Sequence, residues 1–480
     1  MPGRPDVPLP FAMGVQGAEC VVATGHPLAS QAARRMLRAG GSAVDAAIAA
    51  DAVLDVVEPM ATGIGGDMLA MVVQADGTPV SYNGTGRAPG GLNVALVATL
   101  PGARIPERHP YAVTVPGAVR GWHDMHARFG RLRWAELLQP AIAAARDGFA
   151  VASVCAREWV LFAKLLLRDA ASSALYQART PPQAGTRFVN PALARVLQAI
   201  SVDGPDAFYQ GTPARAAASV QALGGVLSGQ DFHTHSGHFC APTVTQFRGV
   251  AVLRALYTLS PQALVRTDPQ ATVRAVQAMD EAMQWAQETV ADPGGNTVCT
   301  AVVDGGGLAV TPMTSVFKRF GSGIAAPGCG FVLQNRGFGF SRPGHLNGPA
   351  PGKRPYHTVV PGAALRDGRF HAAFGVVGGA MQPQGQLQLL LRVAAWGEPL
   401  QAALDAPRWR LESASAPALE AGTPEPVTRA LRAAGYADPA GVGELDGRSD
   451  FGGAQWAMRL PDGRLAGASD RRKDGLAAGW

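Results

Sequence analysis

The sequence has 480 residues, of which 47% are apolar, enough chain for a large core in one big or two ordinary domains. The net charge is +6 and the arginines are scattered, so the isoelectric point of about 9.3 does not argue for nucleic-acid binding. No signal-peptide core, no run of about 18 apolar residues and no paired cysteine motif occurs, which predicts a cytoplasmic protein that does not contact membranes.

The N-terminal region alternates strand and helix patterns. An apolar strand precedes a helix that is stopped by Gly40 and Gly41, and a capping-box-like start at Ser42 opens an Ala-rich helix to about Val57. The Gly-rich loop at 61–68 lacks a Lys-Ser/Thr pair and a GxGxxG pattern, so it predicts tight turns rather than a phosphate site. The strands expected here span 19–25, end at Val73 and cover 80–82.

The middle of the chain, from 111 to 240, predicts mostly helices, and a further long helix is expected over 270–290. Three histidines, His233, His235 and His238, have a spacing that suggests metal binding. No carboxylate or cysteine accompanies them at ligand spacing, so a loop of solvated histidines is favoured. The sequence therefore predicts no metal site and no organic cofactor.

A loop-to-strand transition follows at Thr297. Gly294 and Gly295 lead into a short run of β-branched residues, which predicts a buried strand with a threonine at its start. If the Asn296–Thr297 bond were cut, Thr297 would carry both a hydroxyl nucleophile and an α-amine with a pKa near ~8 that could serve as its base. The alternative is a threonine that only begins a strand.

The remaining chain predicts strands and then helices, which together indicate a layered α/β architecture with a largely antiparallel sheet. The expected strands are 308–311, 330–333, 359–365 and 370–374, and the expected helices are 384–395, 400–406 and 425–434.

Eight segments, in order along nearly the whole chain, resemble the γ-glutamyltransferase family of N-terminal nucleophile (Ntn) hydrolases. A single such segment would be weak evidence for the family, whereas eight segments in the family's order are strong evidence for it. The matching segments are 26–29, 40–47, 58–59 with 63–66, 115–117, 320–323, 353–355, 378–379 and 467–470.

The resemblance implies an α+β fold, a four-layer αββα sandwich formed as a single large domain. It also implies a precursor that cuts itself between Asn296 and Thr297, so that residues 1–296 and 297–480 become two fragments sharing that domain. Thr297 aligns with the nucleophile, and Gly378 and Gly379 align with a turn whose N–H groups stabilise an oxyanion.

Several positions depart from the γ-glutamyl enzymes. Thr85 stands where those enzymes have an arginine for the substrate carboxylate, and Gly339 stands where a carboxylate binds the substrate amine. A paired-serine position falls on His357 and Thr358. Since a buried ammonium without a partner is costly, a glutamyl donor is disfavoured. Two arginines are candidates to hold a substrate carboxylate instead, Arg87 and Arg336.

Further departures concern the nucleophile's surroundings. The segment before Thr297 is shorter than in family members, and Met313 replaces a second threonine that supports the nucleophile. Cys299 is disfavoured as an alternative nucleophile because it lies within the expected strand.

The sequence thus predicts a self-processing amidohydrolase that hydrolyses a small carboxylate-bearing amide through a threonyl acyl-enzyme. The alternatives are a non-catalytic, unprocessed relative that acts as a binding protein and, third, a true γ-glutamyl transpeptidase. The expected partners are the amide substrate and the two fragments of one precursor, and the sequence is compatible with a homo-oligomer.

Overall fold

The computed structural model describes residues 14–242, 246–247, 250–251, 264–289, 296–413, 416–436 and 451–480. Within these ranges two seven-stranded antiparallel sheets form the centre of the molecule. In spatial order the first sheet contains β1 (Gly14–Ala18), β17 (Leu465–Ser469), β16 (Gly453–Arg459), β13 (Arg369–Val377), β12 (Gly362–Arg366), β9 (Val250–Ala251) and β8 (Gln246–Phe247). The second contains β18 (Leu476–Gly479), β2 (Val21–Thr24), β10 (Asn296–Val303), β11 (Ala309–Phe317), β3 (Asp67–Val73), β4 (Pro79–Asn83) and β7 (His238–Cys240).

Two short antiparallel strand pairs lie outside these sheets. They are β5 (Phe149–Ala150) with β6 (Arg187–Phe188), and β14 (Trp409–Ser413) with β15 (Ala416–Leu419).

Helices cover the outer faces of both sheets. The N-terminal set packs on the second sheet through an apolar cluster that includes Val298, Val302 and Val310. It comprises α1 (Pro27–Arg38), α2 (Ala43–Val57), α4 (Ala118–Phe129), α5 (Trp134–Asp147), α6 (Ser153–Leu166), α7 (Ala170–Leu175), α8 (Pro191–Asp203), α9 (Pro213–Gln221) and α10 (Gly229–His233). The short helix α3 (Val94–Ala98) packs instead in a separate small cluster with Leu92 and Phe340. The C-terminal set covers the first sheet and comprises α11 (Pro269–Thr289), α12 (Met381–Leu390), α13 (Leu400–Asp405) and α14 (Glu425–Ala433).

A third apolar cluster lies between the two sheets and joins residues such as Ala301 of β10 and Ala373 of β13. The order is therefore helix, sheet, sheet, helix, and the four-layer αββα sandwich expected from the sequence is confirmed.

Helix α2 is the central helix of the N-terminal layer, and all of its residues are buried. Its start is the capping box expected from the sequence, formed by Ser42 and Asp45. Asp304, just beyond β10, accepts a further hydrogen bond from the Ala43 N–H at 2.9 Å. The N-terminus of α2 is thus held by the residue that follows the strand containing the candidate nucleophile.

The structure corrects three expectations. Residues 330–333 form no strand, only an isolated bridge between Ala325 and Val332. The chain does not end in helices, because β16, β17 and β18 follow α14. His235 is not solvated: it is 5% exposed because its ring stacks on Tyr209 and lies close to the backbone at Gly117.

Strands from before and after Thr297 alternate in space. In the second sheet β10 lies between β2 and β11, and β11 pairs in turn with β3. Across the same division, Asp474 accepts hydrogen bonds from the N–H groups of Val154 and Cys155 at the start of α6. The two parts of the chain therefore share both their sheets and their core.

Candidate active site around Thr297

Thr297 is the second residue of β10 and is completely buried. Alternation along the strand places it on the same face as Cys299 and Ala301, which belong to clusters between the two sheets. The pairing of β10 with β11 shifts register between Asn296 and Val298, so the ladder is irregular at the candidate nucleophile. Its hydroxyl oxygen accepts a hydrogen bond from Gln382 Nε2 at 2.9 Å.

The Gly378–Gly379 turn connects β13 to α12. Both glycines have a positive φ, 112° for Gly378 and 62° for Gly379, a backbone conformation that residues other than glycine rarely adopt. Their carbonyls accept the first helical N–H groups, those of Met381 and Gln382. Among the described residues their own N–H groups have no hydrogen-bond acceptor, so two donors at a helix N-terminus are available to an anion.

A buried polar cluster lies beside the register shift between β10 and β11. The Arg336 side chain is 0% exposed and donates to Thr358 Oγ1 at 3.2 Å and to Ser315 Oγ at 2.9 Å. Its Nε lies 3.9 Å from the Asp67 carboxylate, and its guanidinium carbon lies 4.1 Å from the centre of the Phe317 ring. Burial lowers the pKa of Arg336 to about 10, with Asp67 opposing the shift, so the guanidinium is protonated at neutral pH.

Asp67 is the acidic centre of this cluster. Its Oδ1 accepts from the Gly86 N–H and from Gln334 Nε2, each at 2.7 Å, and its Oδ2 lies 3.3 Å from His357 Nε2. Burial and then the neighbouring Arg336 charge lower the pKa of His357 to about 4. His357 is thus neutral at pH 7, and the carboxylate is balanced by the guanidinium.

Two further arginines, Arg354 and Arg87, lie at the edge of this polar cluster. Thr85 is buried, and its carbonyl accepts from Arg354 Nε at 2.8 Å. Arg87, two residues later, is half-buried and donates to the Gly352 carbonyl at 3.1 Å. Within the described ranges neither arginine has an acidic partner within 4 Å, so both keep positive charge that no carboxylate neutralises.

The residues that replace family positions are apolar or closely packed. Met313 lies opposite Cys299 in the ladder, and both belong to a buried cluster with Val359 and Val377. Burial and then the Asp51 charge raise the pKa of the Cys299 thiol, which keeps it protonated and inert. A Cβ added at Gly339 would lie 3.2 Å from the Tyr356 carbonyl, so an acidic side chain has little room there.

The candidate site residues thus fall into two groups. Hydrogen bonds link Thr297 to Gln382, which follows the glycine turn, and link Arg336, Thr358 and His357 around Asp67. Arg87 and Thr85 lie on the loop whose Gly86 N–H binds the same Asp67. No group of three or more histidine, cysteine or acidic side chains suited to a metal occurs in the described residues.

Sequence reasoning missed Gln382 and Asp67 as site residues. Gln382 is one of four glutamines in α12, with Gln384, Gln386 and Gln388, and all four are buried. Buried polar side chains require partners, so a glutamine series beside a Gly-Gly turn was the available signal. Asp67 lies within the Gly-rich segment 61–68, which the sequence explained only by tight backbone turns.

A family model described as gamma-glutamyltranspeptidase matches residues 29–266 and 257–480. The chain belongs to this family. It is 33% identical to the oxamate amidohydrolase proenzyme of Klebsiella pneumoniae, covering 95% of this chain and 97% of that protein. It is 32% identical to the glutathione hydrolase-like YwrD proenzyme of Bacillus subtilis, covering 97% and 99%.

The same relationship holds for solved structures. The cephalosporin acylase from Bacillus halodurans superposes with a TM-score of 0.91 at 30% identity, covering 100% of this chain and 99% of that one. The family assignment made from eight sequence segments is therefore confirmed. The expectation of a self-processing amidohydrolase is confirmed as well, because relatives that match over nearly the full length are amidohydrolase and acylase proenzymes. Across the described residues, no helix is long and apolar enough to span a membrane.

Proposed function

We propose that this protein is a precursor that cuts its own Asn296–Thr297 bond and then hydrolyses a small amide bearing a carboxylate, with Thr297 as nucleophile. The observation that carries the proposal is the placement of the Thr297 hydroxyl 2.9 Å from Gln382 Nε2, three residues after a turn with two unoccupied N–H donors. An amide hydrolase needs this combination of a nucleophile and preorganised donors for the oxyanion.

In the first stage, Thr297 Oγ1 attacks the Asn296 carbonyl carbon. The C–N bond breaks, the hydroxyl proton passes to its nitrogen, which becomes the new α-amine of Thr297, and an ester joins Asn296 to Oγ1. Water then hydrolyses that ester, leaving a carboxylate on Asn296 and a free hydroxyl on Thr297. Complete burial of the hydroxyl suits attack on a bond within the same chain.

In the second stage the same hydroxyl attacks a substrate amide. The α-amine of Thr297 accepts the hydroxyl proton and returns it to the leaving nitrogen, while the Gly378 and Gly379 N–H groups donate to the oxyanion. Water hydrolyses the acyl-enzyme and regenerates Thr297. Residues 1–296 and 297–480 remain one αββα domain because each of the two seven-stranded sheets contains strands from both parts.

For the substrate, charge balance favours a carboxylate without a neighbouring ammonium. Asp67 is the nearby anion, and it is already balanced by Arg336 and bonded to Gly86 and Gln334. Arg87 lacks an acidic partner in the described chain and is half-buried, so it is the better placed of the two predicted arginines to bind a carboxylate directly. The buried Arg336, with Thr358 and His357 in the same cluster, would add to the positive potential that attracts the substrate carboxylate.

Oxamate, an amide joined directly to a carboxylate, has this chemistry, and a relative with 33% identity bears its name. We therefore expect release of ammonia and oxalate from oxamate, and negligible turnover of γ-glutamyl anilides or glutathione. Robust glutathione hydrolysis would contradict the substrate assignment.

The nucleophile is tested by Thr297→Ala and Thr297→Ser. The alanine variant lacks the hydroxyl used in both stages, so we expect a folded, full-length, inactive precursor, whereas the serine variant should process. Intact mass spectrometry gives the cleavage site directly. Cleavage of the alanine variant at the same bond would exclude Thr297 as the attacking residue.

A further inference from the structure

Among the described residues, the hydroxyl of Thr297 is hydrogen-bonded to one side chain, that of Gln382. The bond is 2.9 Å long, and both residues are 0% exposed. A threonine hydroxyl offers one proton and two lone pairs. Because Gln382 donates, it occupies a lone pair of Oγ1 and leaves the hydroxyl proton to point toward another acceptor.

The orientation of the Gln382 amide is fixed by its other end. The Val360 N–H donates to Gln382 Oε1 at 3.0 Å, and a backbone N–H has no acceptor capacity. The oxygen must therefore face Val360, which turns the NH2 group toward Thr297. The backbone of Val360 thus determines which atom Gln382 presents to the nucleophile.

Gln382 is also rigidly coupled to the glycine turn. It is the second residue of α12, and its own N–H donates to the Gly379 carbonyl at 3.0 Å. The N–H groups of Gly378 and Gly379 and the Gln382 side chain are therefore donors carried by one turn and the first turn of one helix. The helix N-terminus adds partial positive charge at the same place.

Position 313 of β11, which the family resemblance aligns with a supporting threonine, supplies no donor. Met313 lies opposite Cys299, is buried among Cys299, Val359 and Val377, and has only a thioether. The side-chain donor that does reach the Thr297 hydroxyl, Gln382 Nε2, comes from the helix layer of the first sheet.

We propose that Gln382 is a catalytic residue that donates a hydrogen bond to Thr297 Oγ1 during both self-cleavage and amide hydrolysis. This inference rests on the proposed function of Thr297. As Oγ1 bonds to the carbonyl carbon, the carbonyl π electrons move to the oxygen held by the glycine turn. The hydroxyl proton passes to the Asn296–Thr297 nitrogen in self-cleavage and to the free Thr297 α-amine in amide hydrolysis. Gln382 neither gains nor loses a proton; its N–H stabilises the charge developing on Oγ1 and fixes the hydroxyl rotamer.

The first test is Gln382→Leu, which keeps approximate size and removes the donor. We expect self-cleavage to slow about 10- to 100-fold and kcat on oxamate to fall by a similar factor with KM within about twofold, as for loss of a hydrogen bond to a charged group. The matched control is Gln388→Leu. Gln388 is buried on the same helix and donates to the Trp409 carbonyl at 2.8 Å, but it contacts neither Thr297 nor Val360; cleavage and kcat should stay within about threefold of the parent.

The second test is Gln382→Glu, followed as a pH profile. A protonated glutamic acid can still donate to Oγ1, whereas its carboxylate cannot and repels the developing negative charge. We expect the rate of the glutamate variant to fall relative to the parent as pH rises through the new ionisation. A purely packing role for Gln382 predicts no such change in the profile.

The outcomes separate the two proposals. Cleavage in Thr297→Ala overturns the proposed function and this inference with it. A block in Thr297→Ala together with parental rates in Gln382→Leu, or a Gln382→Glu variant with the parental pH profile, overturns the role of Gln382 alone. If Gln382→Leu fails to fold, as judged by its thermal transition, Gln382→Asn provides the same test, because its amide is one methylene too short to reach Thr297.

Discussion

Replacing Arg336 by methionine is expected to destabilise the fold strongly. The methionine retains an unbranched apolar side chain but removes the cation that faces Asp67, and the carboxylate stays buried with 0% side-chain exposure. Removing one member of a buried ion pair costs about 3–5 kcal/mol. The hydrogen bonds that Asp67 keeps from Gly86 and Gln334 place the expectation toward the lower part of that range.

The shift in melting temperature follows from the size of the chain. An unfolding entropy of about 2.1 cal/mol/K per residue over 480 residues is roughly 1 kcal/mol/K. A loss of about 3–5 kcal/mol therefore lowers Tm by about 3–5 °C. The measurement is differential scanning calorimetry in the uncleaved Thr297→Ala background, where the protein is one chain throughout.

The control is Arg133→Met. The Arg133 side chain is 86% exposed, although its Nη2 lies 2.6 Å from Glu136 Oε1. Exposed pairs contribute little, so its Tm should stay within about 1 °C. If Arg336→Met likewise melts with the parent and instead raises KM for oxamate tenfold or more, Arg336 binds substrate directly and its pairing with Asp67 is not structural.

Three further predictions address processing, substrate charge and pH. Native protein should give two bands of about 31 and 19 kDa on a denaturing gel that co-elute in gel filtration, and a persistent full-length band would contradict self-cleavage. Arg87→Gln should raise KM for oxamate about tenfold with little change in kcat, while the exposed Arg104→Gln should match the parent; equal effects would remove Arg87 from the substrate site. Burial raises the pKa of Asp51 to about 6, so Asp51 keeps its proton to higher pH in the folded state than in the unfolded state, and its contribution to stability should fall as pH rises from about 4 to 6. Asp51→Asn removes this contribution, so the stability of the uncleaved variant in urea titrations, relative to the parent, should rise over that pH range; a constant difference would show that Asp51 does not contribute.

Local sequence signals located the loop-to-strand transition at Thr297 and the capping box of α2 because both depend on residues that are neighbours along the chain. The motif order then supplied the family, its layered fold and the glycine turn. The contact between Thr297 and Gln382 joins residues 85 positions apart, and no pattern in either segment specifies it.

The C-terminal strands were missed for a different reason. β17 and β18 are rich in alanine and glycine, which have low strand propensity. The structure requires small residues there: a Cβ at Gly467 would lie 2.3 Å from Val21 Cγ1, and one at Gly479 would lie 2.7 Å from the Ala18 Cβ. Close approach between backbones, which is a property of the assembled sheets, determined their composition.

The alternation of strands from the two sides of Thr297 has a consequence for the lifetime of the molecule. Before the cut, β2, β10 and β11 belong to one chain and find one another at the high local concentration that a covalent connection provides. After it, an unfolding event releases two separate polypeptides, and their reassembly becomes a second-order process whose rate depends on how dilute they are. The mature protein would therefore rely on slow unfolding rather than on repeated refolding, and its functional lifetime would be set when the precursor first folds.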